Sequence, residues 1–218
     1  MPSIETRAQL ANLKLDPRRP LVISDVDEVI VHFTRAFEEF LAGCGLWLDA
    51  ASLALDGNIK HIKGGAPASR DEVMTAVDAF FVAKTRSLEP IDGAIESLKA
   101  FNAAGAEVVL LTNLPHASKD DRVVNLRDHG LHFPVITNSG PKGPAIRELA
   151  SRSAGPVVFV DDSPAFIASA YEFAPDVKLI HFMQDERFAR YVEPLPYLSL
   201  FTGDWGQART HIDTILKL

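Results

Sequence analysis

Cysteine is almost absent from this sequence. Cys44 is the only one in 218 residues, which excludes an intrachain disulfide and a zinc site built on thiolates. Long apolar runs are missing as well: no stretch approaches the ~20 residues of a membrane span. The opening segment, "MPSIETRAQLANLKLDPRRP", has no apolar core of the signal-peptide kind. A cytoplasmic location without a membrane role is the corresponding expectation. Basic charge is not in excess either. Lys and Arg number 22 against 29 Asp and Glu, for a net charge of −7, and no basic run is longer than Arg18-Arg19. That argues against nucleic-acid and membrane-surface partners, both of which want basic patches. There is no Gly-x-Gly-x-x-Gly, no Walker sequence, no Gly-x-Ser-x-Gly elbow and no His-Glu-x-x-His, so the nucleotide-cofactor, serine-hydrolase and zinc-peptidase readings have no support.

What is present is a rhythm. Four apolar, β-rich runs stand out: "LVISDVD" (21–27), "EVVLLTN" (107–113), "PVVFVDD" (156–162) and "KLIHF" (178–182), with a weaker one, "FPVIT", at 133–137. Their hydrophobicity is continuous rather than alternating, as in parallel strands covered on both faces. Helical segments separate them. Residues 118–129 lie between Ser118 as N-cap and Gly130 as C′, and residues 143–152 read as a second helix. A third begins at Ser163-Pro164, cap followed by first helical position. This alternation predicts an α/β fold, a doubly wound parallel sheet with right-handed crossovers.

One interval is too long for a single crossover: about 80 residues separate the first strand from the second. Residues 87–106 supply the crossover helix. Residues 34–86, with amphipathic stretches at 35–44 and 70–86 around the Gly-rich "LDGNIKHIKGGAPASR", read as a small helical insertion in a core of 1–33 and 87–218. Past residue 183 the expectation is a loop region and a closing helix over 205–217.

Polar residues gather at the strand ends. The first strand ends in Asp25 and Asp27, side chains of one face if the strand is regular. The second ends in Thr112-Asn113 and the third in Asp161-Asp162. In an open parallel sheet, ligands bind outside the carboxyl ends of the strands. Clustered carboxylates repel unless a cation neutralises them, and hard oxygen ligands suit Mg²⁺. Magnesium suits a phosphate substrate, which also needs a fixed positive group and hydrogen-bond donors. Lys142, 19 residues before Asp161, is a candidate for that charge; the Thr112 hydroxyl and the amides from Asn113 onward are candidates for the donors.

With these motifs in order, the sequence resembles the haloacid dehalogenase-like hydrolase superfamily. "DVDEVIV" is similar to its first motif, "VVLLTN" to the second, Lys142 to the third and "VVFVDDS" to the fourth. The resemblance implies that Asp25 is a nucleophile forming an aspartyl-phosphate. It implies that Asp27 protonates the leaving oxygen and later deprotonates water. It further implies Mg²⁺ held by Asp25, the Asp27 backbone carbonyl and Asp162, with Asp161 as ligand or support, Thr112 on the phosphoryl group and Lys142 balancing charge. The insertion occupies the place of the family's small helical cap. Asp27 favours phosphate chemistry, because members that dehalogenate carbon centres have no leaving oxygen to protonate and usually lack an acid there. Glu28 departs from the pattern, since many members have Gly at that position.

The expected function is Mg²⁺-dependent hydrolysis of a small phosphorylated metabolite by a monomer or homodimer. The alternatives are phosphotransferase or mutase chemistry, and a non-catalytic phosphate-binding or regulatory domain. Lys60, His61, Lys63 and Arg70 in the insertion read as a solvated loop, with contact to an anionic substrate as the alternative. Cys44 is expected to be a buried small hydrophobe, and His129 and His132 to lie at the surface.

Overall fold

The structure, a computed structural model, describes residues 1–218. Its centre is a six-stranded, wholly parallel sheet of β1 (Leu21–Ser24), β4 (Glu107–Thr112), β5 (Val135–Thr137), β6 (Val157–Asp161), β7 (Lys178–Phe182) and β8 (Leu200–Thr202), in the order β5-β4-β1-β6-β7-β8. From β1 the chain steps outward through β4 and β5, then returns to the other side of β1 for β6, β7 and β8. The winding reverses at β1, so the carboxyl ends of β1, β4 and β6 border the crevice where such sheets hold ligands.

Both faces of the sheet are covered, which accounts for the continuous apolar runs. In β4, Val108 and Leu110 belong to one core cluster and Val109 and Leu111 to the other, the period-two alternation of a strand with no wet side. One face packs against α1 (Ile4–Asn12), α6 (Gly143–Ala150) and α7 (Pro164–Phe173). The other receives α4 (Ala94–Ala103) and α9 (Trp205–Leu216), whose buried Trp205 donates from Nε1 to the Val29 carbonyl at 2.8 Å. That bond ties the closing helix to the loop after β1. The helix α5 (Lys119–Asp128) is ended by Gly130, whose φ of +79° is the left-handed C′ conformation. Neither Ser118 nor Ser163 uses its side chain to cap the helix it precedes.

Between β1 and β4 the chain builds α2 (Phe33–Gly43), the strands β2 (Leu46–Leu48) and β3 (Ile59–His61), and α3 (Arg70–Lys84). The Gly-rich middle is therefore an antiparallel ribbon, with Trp47 opposite Lys60, and not part of an all-helical unit. Three-residue strands are too short to show a period. Cys44, expected in a core, is exposed: it caps α2 beyond Leu41, the last buried residue of that helix.

Three further elements lie outside the sequence reading. Helix α1 is weakly amphipathic and is held by tertiary bonds, with Thr6 Oγ1 donating to the Thr137 carbonyl at 3.0 Å. The short α8 (Glu186–Ala189) and the edge strand β8 interrupt the expected loop after residue 183. No helix is long and apolar enough to cross a membrane.

Candidate active site

Strand β1 stops at Ser24, and the chain then turns sharply through residues 25–31. Ile30 N and Val31 N both donate to the Val26 carbonyl, at 2.8 and 3.0 Å. Val26, Val29, Ile30 and Val31 are fully buried, so apolar side chains anchor the turn while its acids face the crevice. The regular strand that would align Asp25 with Asp27 is thus absent; the turn separates their roles. Glu28 sits at its sharpest point with φ +61°, a conformation costly for any residue with a Cβ. Its Oε1 accepts from Thr34 N at 2.5 Å, fastening the turn to the start of α2.

Asp25 is buried and meets a fully buried ammonium. Lys142 Nζ lies 2.7 Å from Asp25 Oδ1 and donates to Asp161 Oδ2 at 2.7 Å. The angle at Asp25 is poor, and Oδ1 has no aligned hydrogen-bond donor. Lys142 reaches this position from the N-cap of α6, where Gly143 lets α6 approach α7: a Cβ there would stand 2.2 Å from the Ser169 carbonyl oxygen. Asp161 also accepts from Ser163 N at 2.8 Å, so both its oxygens are engaged and it serves as the turn cap before α7. Asp162 instead lines a cavity facing the insertion. One oxygen from each of Asp25, Asp161 and Asp162 lies within 4.8 Å of the others.

Electrostatics set this cluster apart from surface acids. Burial pushes the Asp25 carboxyl up to about 7; Lys142 pulls it down, and Asp161 and Asp27 push it up again. Burial, reinforced by Asp161 and Asp25, raises Asp162 well above the usual carboxylate range. Asp161 is raised by burial against the pull of Lys142. Burial acts to lower Lys142, but Asp161 and Asp25 outweigh it and the amine is held above its ordinary value. With all three acids ionised, one ammonium would leave two negative charges uncompensated in a buried region, so the cluster either takes up protons or calls for a cation. The donors are all carboxylate oxygens and one is orphaned, so the residues present fit a hard divalent cation.

Asp27 is held separately. Its Oδ1 accepts from Arg122 Nη2 at 2.5 Å and its Oδ2 from Thr112 Oγ1 at 3.3 Å. Thr112 Oγ1 in turn accepts from Leu114 N at 3.3 Å. The Asn113 side chain donates to the Gly140 carbonyl and accepts from Asn138, fixing the loop that leads to Lys142.

Two contributors lie outside the sequence reading. Arg122 is fully buried, and its signal was positional: with Asn125 and Leu126 it occupies the buried face of α5 at i, i+3 and i+4. His181 pairs with Asp161 across β6 and β7 and is fully buried among the apolar Leu179, Ile180 and Phe182 of its strand. Burial lowers its pKa, and its Nε2 lies 2.7 Å from the Asp162 carbonyl oxygen, which can only accept. Nε2 therefore carries a proton and donates it to that carbonyl, which fixes the backbone at Asp162.

The basic group of the insertion is not gathered here. Lys60 pairs with Asp49 at 2.5 Å and His61 with Glu72 at 3.5 Å, while Lys63 and Arg70 are exposed. None of the four lines the cavity beside Asp162.

No family model and no curated protein matches the sequence. Solved structures do resemble it. A HAD (haloacid dehalogenase-like) family hydrolase from Deinococcus radiodurans, with bound phosphate and sodium, is 15% identical with a TM-score of 0.60, covering 92% of this chain and 97% of that one. CbbY from Rhodobacter sphaeroides, in complex with phosphate, is 18% identical with a TM-score of 0.57, over 86% and 95% of the two chains. The HAD-hydrolase YfnB from Bacillus subtilis, bound to magnesium, is 16% identical with a TM-score of 0.58, over 92% and 100%. At these identities the likeness is one of fold.

Proposed function

We propose that this chain, which has the fold of the haloacid dehalogenase-like hydrolases, is a magnesium-dependent phosphatase acting on a small phosphorylated metabolite. The observation that carries the reading is the cluster of Asp25, Asp161 and Asp162 at the switch point of the sheet, interlocked with the buried Lys142. The division into a core of 1–33 and 87–218 and a cap of 34–86 belongs to the same proposal.

A divalent ion at this cluster would neutralise the carboxylates and the phosphate oxygens. Asp25 attacks phosphorus, forming an acyl phosphate as the bond to the ester oxygen breaks. Asp27 gives its proton to that oxygen, then takes one from the water that attacks the acyl phosphate and releases inorganic phosphate. Arg122 and Thr112 orient Asp27 for both transfers. Lys142 and Asp161 hold the nucleophile in place, and Asp162, whose carboxylate faces the cavity, is the freer ligand.

The test is phosphate release from an aryl phosphate with Mg²⁺, with EDTA, and with Asp25→Asn. Chelation is expected to abolish release, and the variant to lower it by about 10³-fold or more. Release that persists in Asp25→Asn would sink the assignment.

A further inference from the structure

The cavity beside Asp162 has a composition unlike that of a sugar-phosphate site. Its volume is about 230 Å³, below the usual range for drug-sized ligands. Seven of its twelve lining residues are hydrophobic, among them Phe33 and Phe37 of α2, Leu48, Leu53 and Leu55 of the insertion, and Phe188 of α8. No lysine, arginine or histidine lines it, and its two charged residues, Glu28 and Asp162, are both acids.

Three cations near this wall are committed elsewhere. Lys142 is fully buried between Asp25 and Asp161, and Arg122 is fully buried on Asp27. Arg187, next to the lining residue Phe188, is held by Glu38 at 2.7 Å and Asp185 at 2.7 Å. With Asp162 given to the metal, a second anionic group on a substrate would thus meet the Glu28 carboxylate and aromatic rings, with no lysine, arginine or histidine on the wall to repay its desolvation. Glu28 reinforces the point. It holds a strained left-handed conformation with its carboxylate fixed to Thr34 N at the cavity wall, and retained strain of this kind concentrates at functional positions.

Resting on the phosphatase reading, we propose that the site selects phosphate monoesters of compact, largely apolar alcohols, and that Glu28 excludes esters bearing a second anionic group. The apolar wall contributes by removing the alcohol's hydrocarbon surface from water, and Glu28 contributes by repulsion, a difference of affinities built from both attraction and rejection.

Calorimetry on the magnesium-loaded protein provides the test, comparing isobutylphosphonate with 3-phosphonopropionate, two phosphonates of similar size of which only the second carries a carboxylate. Isobutylphosphonate is expected to bind at least about tenfold tighter. Equal affinities, a reversed order, or no binding of isobutylphosphonate overturns the proposal. Glu28→Gln is expected to narrow the ratio, and so is Leu53→Lys, a cation added at a lining position already 38% exposed. A ratio unchanged in both folded variants overturns it as well. Turnover of isobutyl phosphate and of the phosphate ester of 3-hydroxypropionate, followed in parallel, keeps the two readings apart. Selective binding without phosphate release removes the hydrolytic reading and leaves the selectivity standing. Release with a preference for the carboxylate-bearing ester removes the selectivity alone.

Discussion

The strand-end cluster and the insertion facing it are built from opposite materials. At the cluster, Lys142, Asp25 and Asp161 are buried charges whose geometry is locked by one another and by backbone at the ends of two strands and the starts of two helices. In the insertion, Phe37, Phe40 and Phe81, together with Phe33 at its threshold, surround the fully buried Phe80 at ring distances of 5.0 to 5.7 Å, all edge-on, while the ion pairs are left half-buried or exposed. The difference is one of tolerance. An aromatic cluster survives changes of shape so long as volume is kept, whereas a buried charge network fails when one member is removed. Chemistry that must not vary thus sits in the unforgiving part, and contacts that choose a substrate sit in the adaptable part.

The sharpest way to break the comparison is Lys142→Met. It leaves Asp25 and Asp161 buried without their cation, and a loss of about 3–5 kcal/mol in urea unfolding is expected together with loss of activity. The deficit should be larger at pH 8 than at pH 5, where the unpaired carboxylates can take up protons. Unfolding within 1 kcal/mol of the wild type, a margin of the ~0–1 kcal/mol typical of exposed pairs, would mean that the network is not locked as described.

Phe80→Ala should cost about 3–4 kcal/mol as a core truncation. Its effect on catalysis should fall chiefly on KM, because the cluster that performs the chemistry does not touch Phe80. A fall confined to kcat would contradict the division of labour between the two regions.

Arg122→Gln should lower kcat by about 10²-fold and shift the pH–rate profile, since Asp27 loses the guanidinium that orients it. Arg122→Lys is expected to recover the charge but not the geometry. A profile that keeps its shape in both variants would reduce Arg122 to a packing role.

The cluster also predicts how the metal-free protein responds to pH. The Asp25 carboxyl is raised from 3.8 to about 7, so between those values the folded state binds more protons than the unfolded chain. Stability should therefore fall as pH rises through that window, and level off above it. Thermal unfolding in EDTA at stepped pH measures the slope, and added Mg²⁺ should flatten it. A metal-free Tm that climbs over the same interval would be inconsistent with buried, mutually repelling carboxylates.

The smallest effect is assigned to the insertion's surface. Lys60→Ala removes a half-buried pair with Asp49 at the protein's edge, worth about 1 kcal/mol, and should change kcat/KM less than about twofold. A tenfold change, about 1.4 kcal/mol, would return the basic loop to the substrate path.

Most of the sheet could be read directly, because strands covered on both faces must be continuously apolar and Val-, Ile- and Leu-rich. The strand-end acids were equally visible: Asp25, Asp27, Asp161 and Asp162 interrupt apolar runs where no core residue would be polar. β8 and the ribbon of β2 and β3 were not, since three residues carry no period. Nor was Arg122, which in sequence is one basic residue in a polar helix and becomes singular only when its neighbours cover it completely.

By itself, then, the sequence determined the alternation of strand and helix and the set of acids at the carboxyl edge, both consequences of local hydrophobicity and chain order. Tertiary structure alone decided which charges pair: Lys142 with Asp25 and Asp161, Arg122 with Asp27, His181 with the backbone of Asp162. It also decided that the cavity beside them is apolar and acidic. The physical reason is range. Hydrophobic period and capping act over a few residues along the chain, while the pairing of buried charges depends on distances between residues as many as 117 apart, as Asp25 and Lys142 are.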